Sequence, residues 1–153
     1  MKFLTIDPGV EFGWAFFDTF QAPKPLAFGV FTPTKGKPWD IRCWIAASAI
    51  HDLINNHGPS LLCCEWPQFR DSAAGRAAAA SDSLVKLSVM VGRIIQVCEE
   101  HMLPFEAVPV QKWMGQLNEK QLRKRVLEHC YTATPKSHAI DAVGIGLWKL
   151  GKL

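Results

Sequence analysis

The chain has no apolar run long enough to cross a bilayer, and its first residues lack the pattern of a secretory signal. A soluble protein of the cytoplasm, with no membrane partner, is therefore expected. Its five cysteines (43, 63, 64, 98 and 130) are odd in number and never spaced as CxxC. Four lie in apolar segments, so reduced, buried thiols are expected rather than a disulfide framework. The neighbours Cys63 and Cys64 would point to opposite faces of a strand and are poorly placed to share a metal. Excess charge is also scarce: 17 Lys and Arg against 14 Asp and Glu leave +3, too little to identify a nucleic-acid partner from net charge. Internal repeats, linkers and low-complexity tails are absent. What remains is 153 residues, 48% hydrophobic and 20% charged, the balance of one globular domain over residues 1–153.

The stretch around which the rest is organised is 5–15, Thr-Ile-Asp-Pro-Gly-Val-Glu-Phe-Gly-Trp-Ala. Phe3, Leu4 and Ile6 form a short apolar run that stops at Asp7, Pro8 and Gly9, the signature of a buried strand followed by a tight turn. Residues 13–17 return as a second strand, completing a hairpin. Asp7 then stands at the C-terminal end of its strand, where open α/β sheets place their ligands. Alone, such an aspartate is equally well read as a turn residue bonded to its own backbone.

A second run, 61–64, ends the same way, in Glu65 followed by Trp66 and Pro67. Between the two lie a strand at 26–31 and a helix from an Asp40 N-cap to about residue 55, with Ile41, Trp44, Ile45, Ala49 and Leu53 on its inward face. That helix is the crossover required if the two acid-terminated strands are parallel neighbours. Residues 69–83 fit either a loop or extra helical turns. A long helix capped by Ser81 or Asp82 runs to about His101; with Leu84, Leu87, Val91, Ile94 and Cys98 on one stripe and Val85, Val89 and Ile95 beside it, it is apolar nearly all round. Burial within one chain and sharing with a second copy both fit such a helix. A fifth strand at 104–108 precedes a basic helix opened by Asn118 and Glu119, with Leu122, Val126 and Leu127 inward. The last helix spans 137–150.

On that last helix His138 and Asp141 stand at i and i+3, on one face. Taken alone they are an ordinary solvent-facing pair. Asp141, however, is embedded in the apolar, small-residue stretch 139–146, and an acid there calls for a partner. A cation bridging Asp141 to Asp7 and Glu65 would supply one. Hard divalent ions choose carboxylate oxygens, and paired ions about 4 Å apart drive in-line phosphodiester hydrolysis.

The run 4–9, Leu-Thr-Ile-Asp-Pro-Gly, then Gly13-Trp14, then Glu65 at a strand end, then 138–142, His-Ala-Ile-Asp-Ala, resembles the RuvC Holliday-junction resolvases. The segment 113–117 followed by a basic helix is similar to the compact RuvC-like proteins of phages, which would place the chain in a host's cytoplasm. The resemblance spans nearly the whole chain, carried by three short motifs. It implies an α/β fold of RNase H-like, RuvC type, a mixed five-stranded sheet flanked by helices. It implies Asp7, Glu65, His138 and Asp141 as catalytic and metal-binding residues, with two Mg²⁺ ions per site and Mn²⁺ as a substitute. The family carries Asp or His at the position of His138. It further implies a homodimer cutting branched DNA such as a four-way junction, with an aromatic wedge just after the second acid, for which Phe69 and Trp66 are the candidates. Arg70, Lys112, Lys120, Arg123, Lys124, Arg125 and Lys136 are the candidate phosphate contacts. Nothing identifies a helicase partner.

Three other classes compete. An RNase H-like nuclease acting on RNA, RNA–DNA hybrid or other branched DNA shares the same sheet and acids. An actin or sugar-kinase ATPase also has an Asp beside a glycine turn but needs two such domains, more than 153 residues hold. A branched-DNA-binding protein without catalysis has no use for a full set of acids, which are costly to keep buried without a cation.

Overall fold

Alternation along the first strand decides the layering. The computed structural model describes residues 1–21, 23–68, 82–130 and 137–153. In β1 (Lys2–Asp7) Leu4 and Ile6 enter one core, while Phe3, Thr5 and Asp7 face the other side. β2 (Phe12–Asp18) pairs antiparallel with β1, placing Asp7 opposite Gly13, and β3 (Ala27–Phe31) pairs antiparallel with β2. Helix α1 (Trp39–His57) carries the chain back so that β4 (Leu62–Trp66) runs parallel to β1. Helix α2 (Ser83–Glu100) leads to β5 (Phe105–Pro109), parallel to β4. The sheet order is β3-β2-β1-β4-β5, the mixed five-stranded sheet that the resemblance implies.

Both faces are covered. α1 and α2 pack on the face that carries Leu4, Ile6, Leu62 and Cys64. The short α3 (Val110–Trp113), α4 (Glu119–His129) and α5 (Ser137–Lys149) pack on the face that carries Phe3, Ala15, Phe17 and Cys63. Cys63 and Cys64 thus serve opposite cores, and both are fully buried thiols. α5 lies very close to the sheet: a Cβ at Gly13 would collide with the backbone of His138, and one at Gly146 with the ring of Phe17. Small residues at these positions set the depth at which His138 and Asp141 sit.

Several helix details differ from expectation. Asp40 does not cap α1; Pro38 holds the N-cap position with no side-chain bond, and Asp40 lies inside the first turn, where its charge suits the helix dipole. The inward face of α1 is Cys43, Ala46, Ala47, Ile50 and Ile54, while Trp44 is 63% exposed and Ile41 is also exposed. Small Ala46 and Ala47 allow a closer approach to the sheet than the bulkier stripe does, and packing overrides residue size. In α2 the buried face is Met90, Val91, Ile94, Val97 and Cys98, whereas Val85 is 61% exposed and Val89 is also outward. Asp82 occupies its N-cap in a left-handed conformation without a side-chain bond, and Ser81 lies outside the described residues. Leu127 is exposed rather than inward, since Leu122 and Val126 already fill the α4 contact. Asn118 does open α4, through a reciprocal capping box with Gln121.

Candidate active site

Strand register brings the first two acids together. Ile6 pairs with Cys64 across the parallel β1–β4 ladder, so Asp7 and Glu65 are the next residues of their strands. Both point to the α3–α5 face, because side chains alternate. Asp7 is nearly buried. Gly13, its partner on β2, lets the first turn of α5 descend onto the strand ends, and His138 Nδ1 comes to 2.7 Å from Asp7 Oδ2. The other ring nitrogen lies 4.0 Å from Glu11 Oε1. The hydrogen bond to Asp7 raises the His138 pKa, burial opposes it, and the charges of Asp7, Glu11 and Asp141 add to the rise. One turn further along α5, burial pushes the Asp141 carboxyl up to about 7, with repulsion from Asp7 adding, His138 opposing and Glu119 adding again. Glu65 Oε2 accepts the indole N–H of buried Trp113 at 3.1 Å. Glu65 and Asp141 line one cavity of about 500 Å³ together with Trp113, Glu119, Leu84 and Leu87.

The fold that positions these residues has counterparts among solved structures. Thermus thermophilus RuvC in complex with Holliday junction substrate matches with a TM-score of 0.75 at 18% identity, over 97% of this chain and 91% of that one. The fold is RuvC-type. A second Thermus thermophilus RuvC structure gives a TM-score of 0.74 at 17% identity, over 99% and 98% of the two chains. The yeast mitochondrial Holliday junction resolvase Ydc2 gives 0.59 at 16% identity, over 96% of this chain and 78% of that one. No family model matches the sequence, and no curated protein matches it. The likeness is one of fold, carried by the sheet order and the helices on both faces.

On this RuvC-type fold the three acids and one imidazole predicted from sequence gather at the C-terminal ends of the inner strands, Asp7 and Glu65 on β1 and β4, His138 and Asp141 on α5. Among the described residues no three His, Cys, Asp or Glu side chains close around a single ion-sized point. Asp7 Oδ2 is engaged by His138 and Glu65 Oε2 by Trp113. The donor chemistry nevertheless fits a hard cation: the site offers carboxylate oxygens, and Asp141 is held toward its neutral form first by burial and then by the charge of Asp7.

Glu119, Glu11 and Thr5 are the site neighbours that sequence reading passed over. Glu119 reads locally as the first residue of a capped helix; only the approach of α4 to α5 brings it toward Asp141. Thr5 is fully buried and donates its hydroxyl to Ala142 O on α5 at 2.7 Å. Trp113 opens the 113–117 segment, but its bond to Glu65 has no local signal.

The candidate DNA contacts divide. Lys120, Arg123, Lys124 and Arg125 are exposed along α4. Lys112 is exposed too, with its ammonium 5.2 Å over the Trp148 ring. Trp66 is 39% exposed at the end of β4, facing away from Glu65 by strand alternation. Phe69, Arg70 and Lys136 lie outside the described residues. No helix among the described residues is long and apolar enough to cross a membrane.

Proposed function

We propose that residues 1–153 form one metal-dependent, structure-selective DNA endonuclease domain that resolves Holliday junctions or related branched DNA. The observation that carries this reading is the convergence of Asp7, Glu65 and Asp141 from two parallel strand ends and one helix, on the fold shared with a RuvC bound to Holliday junction substrate. Asp7, Glu65 and Asp141 would hold two Mg²⁺ ions, with Mn²⁺ as substitute, and His138 completes the set. Such ions activate water and neutralise charge in an in-line phosphodiester displacement. The strand ends fix Asp7 and Glu65 before any ligand arrives, and Trp113 holds the Glu65 carboxylate in one orientation. His138 hydrogen-bonds Asp7, and its charge partly offsets the repulsion of Asp7 on Asp141. The cations of α4 would take the flanking phosphates.

A four-way junction offers two equivalent strands, and a C2 dimer would present one site to each. The outward face of α2, with Val85 and Val89, is the surface we assign to that contact. Val91 of the same helix is only 2% exposed and belongs to the core. The test is incubation of the protein with four-way junction, flap, duplex and RNA–DNA hybrid substrates under Mg²⁺. Paired symmetric nicks in the junction are expected. Cleavage of the hybrid in preference to the junction would move the protein to the RNA-directed class, and no cleavage of any substrate would leave a binding protein.

A further inference from the structure

A second cluster of ligating side chains lies away from the acids. α2 spans roughly 27 Å at 1.5 Å per residue. Its first turn borders the acidic cavity, and His101 follows its last residue. There His101 meets His51 of α1, with His51 Nδ1 and His101 Nε2 2.8 Å apart. The rings are tilted by 51° with centroids 5.0 Å apart. His51 Nε2 lies 3.2 Å from Glu100 Oε2. The Gln96 amide donates to Glu100 Oε1 at 2.9 Å, and Arg93 donates to Gln96 Oε1 at 3.2 Å. This chain of bonds runs along a groove of about 330 Å³ between α1 and α2.

The chain of partners fixes the tautomers. A carboxylate only accepts, so Nε2 of His51 carries the proton that faces Glu100, and Nδ1 of His51 keeps its lone pair. That lone pair accepts the N–H of His101 Nε2, and an ion bound between the two nitrogens takes the place of this proton, which His101 releases to solvent or carries on Nδ1. A carboxylate on the far nitrogen of a histidine is the usual support of a metal-bound imidazole, fixing its orientation and raising its basicity. Metal–nitrogen distances of about 2.0–2.1 Å put two ligating nitrogens about 2.9 to 3.3 Å apart, so an ion replaces the hydrogen bond with a small separation of the rings and a turn of each toward a common point. His51 is about one-third exposed and has room to make that movement.

The structure assigns a two-imidazole site for a divalent transition-metal ion such as Zn²⁺ to His51 Nδ1 and His101 Nε2, oriented by Glu100 and completed by water. Imidazole nitrogen favours Zn²⁺, Ni²⁺ or Cu²⁺ over Mg²⁺. The site is therefore distinct in chemistry from the carboxylates at the other end of α2, and its fate does not depend on the nuclease reading.

The test uses the full chain carrying Asp7→Asn and Asp141→Asn, so that the carboxylate cluster does not take the ion. Zn²⁺ is titrated calorimetrically, and imidazole ¹⁵N resonances are followed by long-range ¹H–¹⁵N correlation. One equivalent of Zn²⁺ should shift His51 Nδ1 and His101 Nε2. His51→Gln or His101→Gln should weaken binding by about tenfold or more, and Glu100→Gln by roughly ten- to a hundredfold. Unchanged affinity in both histidine variants, or Zn²⁺-dependent shifts confined to His57, His129 or His138, would overturn the assignment. The resonance measurement on the parent chain decides the question even if a histidine variant does not fold.

Discussion

The buried hydroxyl of Thr5 donates to the carbonyl of Ala142 at 2.7 Å, tying the strand that carries Asp7 to the helix that carries Asp141. Each partner stands near an acid, Thr5 two residues before Asp7 and Ala142 next to Asp141, so the bond works as a spacer between them. Thr5→Val should cost about 1–3 kcal/mol, since a buried carbonyl loses a partner in an apolar site. It should also weaken Mg²⁺ binding, and Thr5→Ser should restore both. Denaturant unfolding and metal titration of the two variants check this; a Thr5→Val protein with unchanged metal affinity would make the bond purely structural.

Asp7→Asn should abolish junction cleavage and leave junction binding intact or tighter, because it deletes a metal ligand while relieving repulsion against phosphate. It should also return the His138 pKa toward its ordinary value, as the bond to Asp7 is the first cause of its rise. Cleavage assays and histidine NMR titration measure the two effects separately. Wild-type cleavage by Asp7→Asn would remove the assigned chemistry.

Trp113→Phe removes the donor to Glu65 while keeping most of the buried ring. Outer-shell partners of metal-binding carboxylates are typically worth about 10- to 100-fold in metal affinity or activity, and a loss in that range is expected. A fall in Mg²⁺ affinity at near-constant melting temperature would mark Trp113 as a positioning residue rather than a packing one.

Metal-free protein should lose stability as pH rises from 3.8 to about 7. Folded Asp141 keeps its proton up to about 7, whereas the unfolded chain releases it near the ordinary value of 3.8. Over that interval the folded state binds more protons, so stability falls with pH. His138 acts in the same sense: its contribution is complete below its ordinary 6.5 and is lost as pH passes its raised folded value. Unfolding in chelator at pH 5 and pH 8 should show a larger drop for wild type than for Asp141→Asn, and Mg²⁺ should narrow the difference. Equal drops would mean that Asp141 ionises freely.

Junction affinity should fall steeply with salt through release of counterions. Replacing Arg123 and Lys124 with Ala should lower the slope by roughly one unit per lost contact. An unchanged slope would place the phosphate contacts off α4.

The local sequence determined the strands that carry Asp7 and Glu65 at their C-terminal ends, because an apolar run followed by an acid and a proline has few other readings. It determined the start of α4, where Asn118 and Gln121 complete each other's bonds within one turn, and the placement of Cys63 and Cys64 in opposite cores, which strand alternation alone dictates. The shared face of His138 and Asp141 was also legible, from helical spacing. Tertiary structure decided the rest. The inward face of α1 follows Ala46 and Ala47 instead of Trp44 because close approach to the sheet outweighs side-chain size. Trp113 reaches Glu65, Thr5 reaches Ala142, and Glu119 comes to bear on Asp141 only after α3, α4 and α5 dock on one face. Those relationships join residues far apart in the chain, and neither periodicity nor spacing carries information about them.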